Sequence, residues 1–160
     1  MEERIEYANV APDGVKAMAG LERYLGACGL EKKLLDLAKL RASQINGCAY
    51  CVDMHWKDLR ADGESEQRLY SLDAWRETSF YTDRECAALD WTEAVTLVSE
   101  DHVPDELYER VRRQFSEKEM VDLTLAVVAI NGWNRLCISF RKVAGTYQPP
   151  AARPVKKDTV

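Results

Sequence analysis

Apolar residues recur at helical spacing along almost the whole chain, and nowhere do they alternate with polar ones over a stretch long enough for a useful strand. Val15, Met18, Leu21, Leu25 and Cys28 fall three or four apart and stop at Gly29, which predicts a first helix. From Leu30 onward, Leu34, Leu37, Leu40 and Ile45 give a second stripe, with Lys32, Lys33, Lys39 and Arg41 on its remaining surface. Asn46-Gly47 ends that stripe with a strong stop signal, and a third helical pattern follows directly, running to a second stop at Asp62-Gly63. Leu69, Leu72 and Trp75 predict a fourth helix over Ser65 to Trp75, broken by Thr78 to Tyr81. Thr82 and Glu85 form a capping box for a helix running to about Ser99. Pro104 suits the first position of a short helix, with Asp105 and Glu106 at the positive end of its dipole. Ser116 and Glu119 form a second box, behind which Val121 to Ile130 is almost wholly apolar. That last helix is expected to run through the core, with Gly132 a close-packing point or a kink. The fold class is therefore all-α, with about six to seven helices.

Composition narrows this without redirecting it. At 160 residues, 46% hydrophobic and 31% charged, the chain reads as one ordinary globular domain. A net charge of -5 with no basic stripe gives no electrostatic reason to bind nucleic acid or an anionic membrane. No uninterrupted apolar run approaches the roughly 20 residues of a membrane span, and the N-terminus lacks a basic region followed by an apolar one, so a cytoplasmic location is expected. Residues 1–14 read as an N-terminal arm, 15–147 as the helical domain and 148–160 as a Pro-rich tail. The segment Tyr147 to Pro154 favours extended geometry and is expected to be disordered or laid along a neighbouring subunit.

Five cysteines, an odd number, argue against a structural disulfide framework. Cys28, Cys86 and Cys137 each sit within an apolar helical pattern and read as small buried hydrophobes. Cys48 and Cys51 differ, because a Cys-x-x-Cys in a reducing compartment is redox-active or metal-binding. The stop at Gly47 places both in the first turn of a new helix, where unpaired N–H groups and the dipole favour a thiolate. His55 follows Cys51 by four residues, on the same face, so a proton carrier stands beside a thiol. A zinc module is the competing reading, with Cys48, Cys51 and His55 as ligands and a fourth drawn from Asp36 or a neighbouring chain.

The run Ser43-Gln44-Ile45-Asn46-Gly47-Cys48-Ala49-Tyr50-Cys51 with His55 resembles the AhpD-type alkylhydroperoxidases of the carboxymuconolactone decarboxylase superfamily. Their signature is a Glu, eleven residues, Cys-x-x-Cys, three residues and His; Asp36 stands at the Glu position here. A weaker likeness continues through Leu89 to Ala94 and Ile130 to Arg135, so the resemblance spans roughly residues 15 to 147. It implies an AhpD-like helical fold and a peroxidase that needs no metal or organic cofactor. In that scheme Cys51 attacks the peroxide, Cys48 resolves the sulfenic acid as a disulfide, His55 relays the proton and Asp36 orients the imidazole. Helix geometry agrees, with Cys51 one turn from His55 and Cys48 at the more exposed start of the helix. A straight hairpin sets Asp36 level with residue 58, so contact with His55 requires a crossing angle or a bridging water. Loss of Cys48 is expected to strand Cys51 as a sulfenic acid. The resemblance also implies a thiol or dithiol electron donor and a homo-oligomer, trimer or hexamer. The superfamily's other activity, lactone decarboxylation, is the alternative, and the Cys48/Cys51 pair counts against it.

Overall fold

The computed structural model describes residues 2–150. Its elements are α1 (Tyr7–Val10), α2 (Pro12–Leu25), α3 (Lys32–Asn46), α4 (Ala49–Ala61), α5 (Glu66–Tyr70), a 3₁₀ segment (Leu72–Glu77), α6 (Asp83–Thr96), α7 (Val98–Asp101), α8 (Asp105–Arg112) and α9 (Glu117–Phe140). The described residues contain no strand, as the missing alternation requires. Both capping boxes form: Thr82 with Glu85 starts α6, and Ser116 with Glu119 starts α9.

Helices α3 and α9 are the axis of the bundle. α3 packs against α4, α6 and α9, while α9 also meets α2, α4 and α6. Leu34, Leu35 and Ala38 of α3 join Leu123, Ala126 and Ala129 of α9 and Trp91 of α6 in the larger core, and Leu37 and Leu40 face Leu59, Leu69, Leu72 and Trp75 in a second. By length and mean hydropathy, 1.3 in its most apolar window, α9 is long and apolar enough to cross a bilayer. In this fold Met120, Leu123, Val127 and Ile130 are instead covered by the surrounding helices.

A polar clamp crosses this axis at the site end. The Asn46 amide donates to the carbonyl oxygens of Asn134 at 2.8 Å and Asn131 at 3.0 Å, and the Asn134 amide donates to Ser43 Oγ at 3.1 Å. Ser43 and Asn134 are fully buried, so each such bond offsets a desolvation penalty that an apolar pair would not incur. The last turn of α3 is thereby fixed to the middle of α9.

Several boundaries differ from the sequence reading for local reasons. α2 starts at Pro12 and not Val15, because proline is preorganised for a helix's first turn, and it ends at Leu25. The N-terminal arm holds α1 and is docked: the Arg4 N–H donates to the Phe140 carbonyl at 2.9 Å, and the Tyr7 and Phe140 rings lie 5.9 Å apart. The fourth helix divides into α5, capped by Ser65, and the 3₁₀ segment. α6 ends three residues early and α7 follows. Gly132 is a close-packing point within a continuous α9, since a Cβ there would lie 2.9 Å from Met18 Cε. The start of the tail docks on its own chain: Tyr147 donates its hydroxyl to Asp58 at 2.7 Å, and Lys57 reaches the Tyr147 carbonyl at 3.1 Å. The remainder of the predicted 148–160 tail, from residue 151, lies outside the described residues.

Asn134→Ala removes two buried hydrogen bonds and leaves a void, and is expected to lower the unfolding free energy by about 2–3 kcal/mol. Ile138→Val, on the exposed side of the same helix, should change it by no more than about 0.5 kcal/mol. Urea denaturation of both variants checks this; equal effects would mean the clamp contributes nothing.

Candidate active site

The site begins at the break between α3 and α4. Gly47 closes α3 in the left-handed conformation, φ 67° and ψ 30°, and the Cys48 N–H returns to the Ser43 carbonyl at 3.0 Å. The chain turns sharply enough that Cys48 becomes the N-cap of α4. Its sulfur accepts from the Cys51 N–H at 3.4 Å, and its Cα lies 5.4 Å from that of Cys51. The two sulfurs are joined as a disulfide. Opening that bond leaves both sulfurs beside the positive end of the α4 dipole.

Burial of the pair corrects one expectation. Cys48 and Cys51 are both 1% exposed, so Cys48 is not the accessible member. Both belong to an apolar cluster with Ala42, Ile130 and Cys137, but only Cys51 of the two lines a cavity of roughly 1010 Å³. The cavity is also lined by charged side chains of α3 and α4, among them Lys32, Asp36, Lys39 and Asp58, and by Tyr50, Met54, Trp133, Tyr147, Pro149 and Pro150.

His55 lines the same cavity from one turn further along α4. It is 6% exposed, and among the described residues neither ring nitrogen has a hydrogen-bond partner in the protein. Burial, reinforced by the nearby Lys39 and then Lys32 ammonium groups, lowers its pKa to about 3. The imidazole is therefore neutral at physiological pH.

Asp36 makes no direct hydrogen bond to it. The Asp36 carboxylate lines the cavity but accepts from Lys32 Nζ at 2.7 Å, and Lys32 also pairs with Asp62. Burial outweighs that ion pair and raises the Asp36 pKa. The residues sit as the hairpin arithmetic requires: Asp36 reaches toward the far end of α4, short of the His55 ring. Shortening the family Glu by one methylene gives no compensation.

Several site residues lay outside the sequence reading. Lys39, expected on the surface, is buried and pairs with Glu22 at 2.5 Å, and Glu22 also accepts from the Trp133 indole at 3.1 Å. A lysine inside an apolar stripe carries no mark of its partner when that partner is on another helix. Tyr7 entered with the docked arm. Cys137 is buried as expected, yet its sulfur lies with those of Cys48 and Cys51 in a group within 4.8 Å of one another. Its position four residues after Trp133 and seven after Ile130 was the available signal, since all three share one face of α9. His55 does not belong to that group, so the zinc reading loses its proposed ligand set. Cys28 and Cys86 stand apart and half-buried.

Comparison with known proteins agrees with this geometry. Residues 12–94 match the carboxymuconolactone decarboxylase family. A Bacillus subtilis relative, the uncharacterized protein YdfG, is 46% identical over 139 residues, covering 87% of this chain and 95% of its own. A crystal structure from Agrobacterium tumefaciens, of a protein of unknown function associated by name with AhpD and antioxidant defence, superposes with TM-score 0.88 at 46% identity, covering 91% of this chain and all of that one. An uncharacterized peroxidase-related protein from Ralstonia eutropha, an AhpD core, shares the fold at TM-score 0.77 and 20% identity, over 88% of this chain and 75% of its own. With the Cys48/Cys51 pair at the head of α4 and His55 one turn behind it, the chain belongs to the carboxymuconolactone decarboxylase family as an AhpD-type member.

Proposed function

We propose that this protein is a thiol-dependent peroxidase acting on organic hydroperoxides. The observation that carries the reading is Cys51: paired with Cys48 at a helix N-terminus, and open to a cavity that also holds an imidazole with both nitrogens free. The Cys51 thiolate attacks a peroxide oxygen, the O–O bond breaks, and the departing alkoxide leaves as alcohol after taking a proton. Cys51 is left as a sulfenic acid. Cys48 then attacks that sulfur, water leaves, and the disulfide closes. An external thiol or dithiol donor reopens it.

His55 has a narrower task than a storage base. With its pKa lowered to about 3, the ring passes the Cys51 proton onward, through a water, as the alkoxide departs. Asp36 acts at one remove, holding Lys32 against the cavity. The aromatic and proline walls favour an alkyl or aryl hydroperoxide over hydrogen peroxide. As a further part of the reading, drawn from the family resemblance, the protein is cytoplasmic and a homo-oligomer, trimer or hexamer, with the exposed Val121 and Val128 of α9, two turns apart, in the subunit contact.

Adding cumene hydroperoxide to the reduced protein should remove two hydrogens by intact mass as the disulfide closes, with Cys51→Ser abolishing peroxide consumption. His55→Ala should slow it by about 10²-fold, and Asp36→Asn by less. Consumption unaffected by Cys51→Ser sinks the peroxidase reading and returns the decarboxylase alternative.

His55 also makes stability depend on pH. Its pKa is 6.5 unfolded and about 3 folded, so between these values the unfolded chain binds the extra proton and acid destabilises the fold. This contribution is complete above the unfolded value and is lost toward the folded one, by up to about 1.4 kcal/mol per pH unit. Urea curves at pH 7 and pH 5 should show a smaller fall for His55→Phe than for wild type; identical slopes would show that His55 is not held neutral.

Light scattering should return a multiple of the single-chain mass, and a Val128→Glu variant should shift it toward one chain.

A further inference from the structure

The chain holds a third sulfur at the site that the scheme above leaves idle. The sulfurs of Cys48, Cys51 and Cys137 all lie within 4.8 Å of one another, and Cys137 is a free thiol, 5% exposed. Cys137 and Cys51 both line the cavity, whereas Cys48 does not. The Tyr7 hydroxyl stands 3.6 Å from Cys137 Sγ. We propose that Cys137 is a second resolving thiol, which closes a Cys51–Cys137 disulfide in the cavity wall.

The order of events follows from the environments. Burial raises the Cys137 pKa against the opposing effect of the Tyr7 hydrogen bond, so Cys137 waits as a thiol and does not compete with Cys51 for peroxide. Once Cys51 is a sulfenic acid, Cys137 attacks its sulfur. The S–O bond breaks, hydroxide leaves with the Cys137 proton as water, and the Cys51–Cys137 bond forms. The same linkage is accessible from the oxidised protein without further oxidant: the Cys137 thiolate displaces Cys48 from Cys51, and Cys48 leaves as a thiolate at the helix N-terminus.

The exchange changes what a reductant meets. In the Cys48–Cys51 disulfide only one sulfur faces the cavity. In the Cys51–Cys137 disulfide both do, so a donor entering the cavity can attack either. The proposal rests on the peroxidase reading for the source of the sulfenic acid, but the pairing itself does not.

Reduced Cys48→Ser, Cys137→Ser and the double variant are each treated with cumene hydroperoxide in the presence of dimedone, then mapped as non-reduced peptides. Cys48→Ser should yield linked Cys51 and Cys137 peptides, with dimedone on Cys51 lower by about tenfold or more than in the double variant, because the resolving thiol is already in place. Diamide, which joins neighbouring thiols without a peroxide, should give the same link in Cys48→Ser. If peroxide leaves every variant untouched while diamide still makes the link, the peroxidase reading fails and the pairing stands. If diamide makes no link, or dimedone labels Cys48→Ser as fully as the double variant, the proposal is overturned. Cys137→Ala replaces the serine variant should serine disturb the apolar cluster.

Discussion

The site depends on the left-handed turn at Gly47. With φ at 67° the backbone leaves α3 and starts α4 within two residues, which only glycine, and to a lesser degree asparagine, does without strain. That brevity puts Cys48 at the N-cap and Cys51 in the first turn. The Asn46, Asn131, Asn134 and Ser43 clamp then fixes the turn against α9, the helix that supplies Trp133 and Cys137. A thiol pair on a wandering loop would have neither the dipole's field nor a fixed third sulfur.

Electrostatically, the cavity is built to keep His55 uncharged while surrounding it with ions. Lys39 and Lys32 face the ring, but each is matched by carboxylates, Glu22 for the first and Asp36 and Asp62 for the second. Fixed charge is thus neutralised pairwise, and a proton in transit finds no resting place on the imidazole.

The sequence was informative where the physics is local. Capping boxes at Thr82 and Ser116, the stop at Asn46-Gly47 and the helical spacing of apolar residues depend on neighbours a few positions away, and the structure reproduces them. Cys48, Cys51 and His55 were legible for the same reason. What remained hidden depends on partners far along the chain. Lys39 and Glu22 meet across two helices, Tyr7 arrives on an arm whose docking is set by Arg4 and Phe140, and Cys137 looks like any buried cysteine until α9 is laid against α4. Asp36 was the opposite case: the motif marked its position, but its carboxylate pairs with Lys32, one turn away on the same helix, as the spacing of the two residues allows.

The docking of Tyr147, Pro149 and Pro150 makes the segment beyond α9 part of the cavity itself. It is clasped to α4, the helix that bears the cysteines, through Asp53, Lys57 and Asp58. A wall held by a few polar contacts at its edge opens at far lower free energy than a helix packed in the core. One side of the chamber is therefore set by a short extended segment outside the helical core. Substitutions in these few residues would reshape the chamber while leaving the thiols, the imidazole and the turn that positions them unchanged.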